Sequence, residues 1–301
     1  MNLRIADNST AATFTARVNA QRSRLAVLQE RLSSGKRINR PSDDPNGAEA
    51  VVKIRTSQTE IKQFQRTALA ANQKLTAADD SLNGYENLLE RVRTLVSQGL
   101  SDTATQNAKN ALATEIDSLR SRILNVADSK NGDDYLFGGS RQTEPPFDPA
   151  TAAPSAIPAT AQYIQIEPGT NAIPVGVTAE SVFSDATSNI FTDLTNAVNA
   201  LRGTGDAAVD RTTLETTMSR IATYTSLVDV AHAAVGANMN ATDLAQENLT
   251  NNFLNLDERA NDIEGDDFAG TALELADAQR ALEATLQVAS QGRRTLFDYL
   301  G

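Results

Sequence analysis

The sequence predicts a mainly α chain: a long, coiled-coil-like helical rod formed by the N- and C-terminal segments, with a small β-rich domain inserted in the middle. Three observations predict it. The nine prolines fall at 41 and 45 and then between 145 and 174, which leaves 46–144 and 175–301 free of them. Apolar residues recur at 3–4 spacing through both proline-free stretches. The composition is 40% hydrophobic but only 5% aromatic, without tryptophan, which suits helix seams filled by Ala, Leu, Val and Ile.

At the N-terminal end, Phe14, Val18, Leu25, Leu28 and Leu32 share one helical face, with Gln21 as the polar exception. Ser33-Ser34-Gly35 then reads as a helix stop, because glycine takes the left-handed conformation that closes a helix. Asn39, Pro41, Ser42, Asp43, Asp44 and Pro45 are turn formers, and each proline fixes φ and removes a backbone donor. From about Gly47 to Gln98 the stripe Ile54, Ile61, Phe64, Ala68, Ala71, Leu75, Ala78, Leu82, Tyr85, Leu89, Val92 and Val96 predicts one helix. It would be roughly 75 Å long at about 1.5 Å per residue. Gly99 and Ser101-Asp102-Thr103 break it, and a second helix follows through Leu112, Ile116, Leu119, Ile123 and Val126.

The middle changes period. Tyr163, Ile164 and Ile166 lead into Pro168-Gly169-Thr170-Asn171, and Ile173, Val175 and Val177 follow, which predicts a strand, a turn and a strand. Downstream, Leu214, Met218, Ile221, Val228, Val235, Met239, Leu249, Phe253, Leu256, Ala260 and Ile263 restore the helical rhythm, with polar entries at Thr225, His232, Thr242 and Gln246. Gly265-Asp266-Asp267 interrupts it, and a last helix carries Leu275, Leu282, Leu286, Ala289 and Leu296 on one face. The expected domains are therefore 1–44 with 264–301 as a terminal helical assembly domain, 45–135 with 186–263 as a long-helix domain, and 136–185 as the β-rich insertion.

Residues 1–40 hold eight Arg or Lys against Asp7 and Glu30, a net of +6, whereas 265–301 hold six acids against three arginines, a net of −3. Attraction between the ends and two unrelated solvated faces are both consistent with this. Each end is a single narrow seam on a long arm, so both are expected to gain order by stacking on neighbouring subunits; two ordinary helices docked on a body are the plain alternative.

The net charge of −11 disfavours nucleic acid and anionic membrane as partners, and no segment approaches the apolar length of a membrane span. The N-terminus shows no cleavable signal pattern. Without cysteine there is no disulfide, thiol catalysis or Cys-bound metal. His232 is the only histidine and lies on a seam, where a satisfied boundary residue is expected in place of a catalyst. No P-loop, dinucleotide fingerprint or zinc motif occurs, and neither Asp43-Asp44 nor Asp133-Asp134 opens an alternating calcium loop. The residues supply no catalytic, cofactor or metal site, so the chain is not expected to be an enzyme.

The fourteen residues from Leu32 to Pro45, LSSGKRINRPSDDP, carry more than turn chemistry. With Leu28-Gln-Glu-Arg-Leu-Ser-Ser-Gly-Lys-Arg37 and Pro41-Ser-Asp-Asp-Pro45, the chain resembles the flagellin superfamily. The PSDDP ending, Tyr135-Leu-Phe-Gly-Gly139, Pro145-Pro-Phe147 and Leu296-Phe-Asp-Tyr-Leu300 bring the likeness nearest to its hook–filament junction branch. It covers about Met1–Phe147 and Thr213–Gly301, and 148–212 only weakly. The resemblance implies an extracellular structural subunit of the bacterial flagellum, exported by the flagellar type III apparatus without a cleaved signal. Its implied partners are further copies of itself in a ring, the preceding hook-associated protein, flagellin and an export chaperone.

On that reading Phe14, Val18, Leu25, Leu28, Leu32, Leu275, Leu282, Leu286 and Leu296 form the assembly interface. Gly35, Pro41, Asp43, Asp44 and Pro45 form the interdomain loop. The nearest rival is a flagellin filament subunit, which abundance in sheared filaments would separate. A cytoplasmic coiled-coil adaptor is the rival from another class, and location outside the cell would decide against it.

Overall fold

The computed structural model describes residues 3–148, 151–154, 159–169, 172–203 and 205–298, with side chains described only between 12 and 288. Seven helices and four two-residue strands are described: α1 (Leu3–Ser34), α2 (Pro45–Gly99), α3 (Gln106–Ala127), β1 (Lys130–Asn131), β2 (Asp134–Tyr135), β3 (Tyr163–Ile164), β4 (Ile173–Pro174), α4 (Ala179–Phe183), α5 (Ile190–Arg202), α6 (Ala207–Glu264) and α7 (Phe268–Asp298). They form two compact units, one of residues 1–60 with 252–301 and the other of residues 61–251.

The unit of residues 61–251 holds the larger core. From α2 it takes Leu75, Leu82, Tyr85, Leu89, Val92 and Val96, from α3 Ile116 and Ile123, and from α6 Leu214, Ile221, Val228 and Val235. These are seam positions expected from spacing, and burying each large side chain contributes about 1.5–3 kcal/mol. Thr105 caps α3 by accepting a hydrogen bond from the Ala108 N–H. The break at 100–105 thus both ends α2 and starts α3.

The spacing singled out no helix over 190–202. The structure forms one, α5, which packs on α3. Its signals are short-range: Asn189 accepts from the Thr192 N–H as N-cap, and Gly203, at φ +90°, follows its end. Phe191 of α5 and Phe183 of α4 meet Phe137 and Phe147 in an aromatic cluster that includes Tyr85, with Tyr85–Phe183 centroids 4.5 Å apart and Phe147–Phe191 4.7 Å apart. Five of the fourteen aromatic residues thus meet where the middle of the chain packs onto helices of the same unit.

Strands form two antiparallel pairs: β3–β4 in the middle region, as expected, and β1–β2 just ahead of the expected 136–185 insertion, where no strand was expected. In one, Lys130 pairs with Tyr135 and Asn131 with Asp134; in the other, Tyr163 pairs with Pro174 and Ile164 with Ile173. The second pair is the expected hairpin, shortened to two residues a side. Pro174 lacks an N–H to donate. Ile166 and Val175 lie beyond the ladder and are buried with Ala68, Ala71 and Ala245. Thr170 and Asn171 of the expected turn lie outside the described residues.

A polar network anchors α6 near its start. Asp193 is buried and accepts from the Tyr224 hydroxyl at 2.6 Å and from Ser188 at 2.8 Å, and it lies 3.3 Å from Arg220 Nε. Burial, first, and then the Asp193 carboxylate push the Tyr224 hydroxyl far above its ordinary pKa, so it remains a donor. Arg220 also donates to Asp185 at 2.9 Å. Half-buried His232 places Nδ1 2.9 Å from Asp79 Oδ1.

Candidate assembly surface and the joint behind it

The two helix breaks noted in the sequence meet each other in the unit of residues 1–60 with 252–301. After α1, Gly35 adopts φ +68° and donates its N–H to Arg31 O at 2.8 Å, the expected helix closure. An added Cβ there would meet nothing within 4 Å, so conformation and not space selects glycine. Lys36 forms an antiparallel bridge with Gly265. The Arg37 N–H donates to Glu264 O at 2.7 Å, and the Asp266 N–H to Gly35 O at 3.1 Å.

Asn39, Asp43 and Asp44 of the loop each have a hydrogen-bond partner. The Asp43 N–H donates to Arg40 O at 2.9 Å, closing a turn around Pro41 and Ser42. Asp43 Oδ2 accepts from the N–H groups of Asn39 and Arg40 at 3.1 and 2.8 Å. Asp44 is the N-cap of α2: its Oδ1 accepts from the Gly47 N–H at 3.0 Å, and Pro45 stands at the first helical position, where no N–H is needed. A Cβ on Gly47 would lie 2.6 Å from both Asp44 Oδ2 and Ile38 Cδ1, so a side chain there would have to displace the ends of these two. The Gly47 N–H and then Arg37 hold the Asp44 carboxyl below its ordinary pKa. Asp267 caps α7 in the same way, accepting from the N–H groups of Ala269 and Gly270 at 3.1 and 3.2 Å.

Glu264, the last residue of α6, lies at the centre of the joint. Its side chain is 9% exposed, and its carboxylate receives Lys36 Nζ at 2.8 Å and Arg55 Nη2 at 3.0 and 2.7 Å. Burial raises its pKa, but the hydrogen bonds and charges of Lys36 and Arg55 prevail and leave it below the usual value. Arg37 bridges in parallel, donating to Ile263 O at 2.9 Å and Asp44 Oδ2 at 3.2 Å. Spacing along the chain could not have found this cluster, because Arg55 and Glu264 are 209 residues apart. The Asp267 cap was legible, as an Asp directly ahead of an apolar-periodic run.

Beyond the joint, α1 packs against α7. Val18 and Leu28 are buried, at 7% and 3% exposure, while Phe14, Leu25, Leu32, Leu275 and Leu282 are half-buried. Leu286 is 43% exposed. Leu296 falls in the part of α7 whose side chains lie outside the described residues. The two predicted seams thus face one another within one chain and cover each other incompletely. An ion pair between them, Arg24 with Glu274, is 4.0 Å long and exposed on both sides, so this pair contributes little. Further apolar side chains on α7, Phe268, Leu273 and Val288, are 63–70% exposed. Among the described residues no helix is long and apolar enough to cross a membrane, and no cluster of three or more His, Cys, Asp or Glu is placed to hold a metal ion.

The family model described as the bacterial flagellin N-terminal helical region matches residues 5–142. Flagellar hook-associated protein 3 of Salmonella typhimurium is 26% identical over 163 residues, which are 54% of this chain and 51% of that protein. Flagellar hook-associated protein 3 of Escherichia coli K12 is 23% identical over 275 residues, 85% of this chain and 86% of that protein. The chain thus aligns to about half the length of the first relative and most of the second. Among solved structures, the flagellar junction protein FlgL from Legionella pneumophila shares the fold with a TM-score of 0.57 at 14% identity, over 72% of this chain and all of that one.

Proposed function

We propose that this chain, which belongs to the flagellin superfamily, is a structural subunit of the bacterial flagellum that joins the hook to the filament. The observation that carries the reading is the pairing of α1 with α7 into a two-helix element whose leucine seams stay partly open. The alignment with the Escherichia coli hook-associated protein 3, which runs over most of both chains, supports it.

In the proposed mechanism function is packing geometry and not bond chemistry. Residues 1–44 and 264–301 act as the assembly domain, and copies of the subunit stack these elements into a ring. Half-exposed Leu286 and half-buried Phe14, Leu25, Leu32, Leu275 and Leu282 complete their burial against neighbours, and Val18 and Leu28 hold the pair within each subunit. The ring meets a preceding hook-associated protein on one side and flagellin on the other. The subunit reaches the cell exterior by flagellar type III export with the help of a chaperone, without a cleaved signal peptide.

Complementation of a deletion strain tests the reading. The deletion leaves hooks without filaments and flagellin in the medium, and the parent chain restores swimming. Leu28→Asp places a charge in a buried seam and fails to restore filaments, while residues 61–251 stay folded. Intact filaments in the deletion strain would overturn the junction role.

A further inference from the structure

We infer that Asn131 is a site of intramolecular deamidation, selected by the fold from three candidates that are equivalent as dipeptides. Asn-Gly pairs occur at 46–47, 83–84 and 131–132. Glycine, without a Cβ, leaves its backbone nitrogen the least obstructed for attack on the preceding side chain. In the reaction the Gly132 nitrogen loses its proton to solvent base and attacks Cγ of Asn131. The new C–N bond closes a succinimide ring, and Nδ2 leaves as ammonia with a proton taken from water. Water then opens the ring at either carbonyl, which leaves aspartate or isoaspartate where asparagine stood.

Two of the pairs lie in α2, where the attacking nitrogen is held. The Gly47 N–H donates to Asp44 Oδ1 at 3.0 Å. Asn83 and Gly84 are inside the helix, with each N–H bonded four residues back, and Asn83 Nδ2 donates to Asp79 O at 3.0 Å. Ring closure at either pair therefore waits on helix opening. Asn131 and Gly132 instead stand at the turn between β1 and β2, where both are exposed. Gly132 has φ +66° and Asp133 a negative φ, the pattern of a type II′ turn. The bond that closes such a turn joins its first carbonyl to its fourth N–H and leaves the Gly132 N–H outside. Among the described residues no partner holds the Asn131 carboxamide. The ladder is two residues a side, and an added Cβ on Gly132 would meet nothing within 4 Å, so the turn opens and distorts at low cost. The product adds a carboxylate beside Asp133 and Asp134, and isoaspartate lengthens the backbone of β1 by one carbon. Leu136 below the turn is held separately, through its N–H to Ser129 O at 2.9 Å, so the change stays local. The inference stands or falls apart from the junction role.

Incubation of the folded chain in mildly alkaline buffer tests this, with peptide mapping by mass spectrometry to follow conversion at each pair. Labelling by an isoaspartyl methyltransferase marks the isoaspartate product. Asn131 converts at least about tenfold faster than Asn46 and Asn83, because a helix opens far less often than a two-residue ladder frays. In urea the three rates draw within about threefold of one another, since the unfolded chain no longer holds any of the three nitrogens. Asn131→Gln, whose longer side chain closes a ring much more slowly, loses the label at this turn. A lead for Asn131 smaller than this in the folded chain, an equal lead in urea, or a label that survives Asn131→Gln overturns the assignment.

Discussion

Leu28 and Leu286 were assigned to the same seam set, yet the structure gives them opposite roles, and alanine separates them. Leu28 is 3% exposed between α1 and α7. Truncating a buried leucine costs about 2–5 kcal/mol, depending on how far the site collapses. A two-helix pairing can close more readily than a deep core, so the lower part, about 2–3 kcal/mol, is expected. Where α1 is already paired with α7 in the monomer, at about 1.4 kcal/mol per factor of ten, amide exchange from Val18 to Leu32 accelerates roughly 30- to 140-fold in Leu28→Ala; unprotected parent amides there are instead the outcome of ends that gain order only on neighbours. Protected amides of residues 61–251 serve as the internal reference and do not change. Leu286, at 43% exposure, has less burial to lose, so Leu286→Ala costs under about 1 kcal/mol and leaves monomer exchange almost unaltered. Its effect appears instead in the filament-restoring assay, where the missing side chain weakens contact with a neighbour. Parent-like exchange in Leu28→Ala, or parent-like filaments with Leu286→Ala, would refute the division of labour.

Two further outcomes concern the larger unit. Tyr224→Phe removes the 2.6 Å bond to buried Asp193 and lowers stability by about 1.5–3 kcal/mol, read from the urea midpoint; an unmoved midpoint would show that Arg220 and Ser188 suffice. Asp185 is held at a pKa of about 2, down from 3.8, first by the Thr187 hydroxyl, then by the Thr187 and Ser188 N–H groups, with Arg220 adding to it. A depressed carboxyl stabilises fully above its unfolded value, so this contribution is intact above about pH 4 and is lost as pH falls toward 2. Asp185→Asn should flatten that part of the acid dependence of thermal unfolding, and an unchanged acid profile would rule the contribution out.

Legibility in the sequence followed the range of the interaction. The seams of α2 and α6 could be read directly, and Leu75, Leu82, Leu89, Val228 and Val235 are buried as their spacing requires. Gly35, Asp44 with Pro45, and Gly265 marked the helix ends, because capping and left-handed closure involve neighbours within four residues. The hairpin at Tyr163–Pro174 was legible in position but not in length, since Ile166 and Val175 are buried by packing and not by the ladder. α5 was legible too: behind the Asn189 cap, Ile190, Leu194, Ala197, Val198 and Leu201 keep helical spacing, and all are buried.

By itself the sequence determined where helices run, where they stop and which face of each is apolar, since these follow from backbone sterics and a 3.6-residue period. It also carried the loop motif that aligns with flagellin relatives. Only the tertiary structure decided that the two breaks pair with one another, that α1 covers α7, and that Glu264 gathers Lys36 and Arg55. It likewise gathered Phe137, Phe147, Phe183 and Phe191 into one cluster. The physical reason is separation: Arg37 and Ile263 lie 226 residues apart, and no local propensity reports which distant carbonyl or carboxylate a cation will meet.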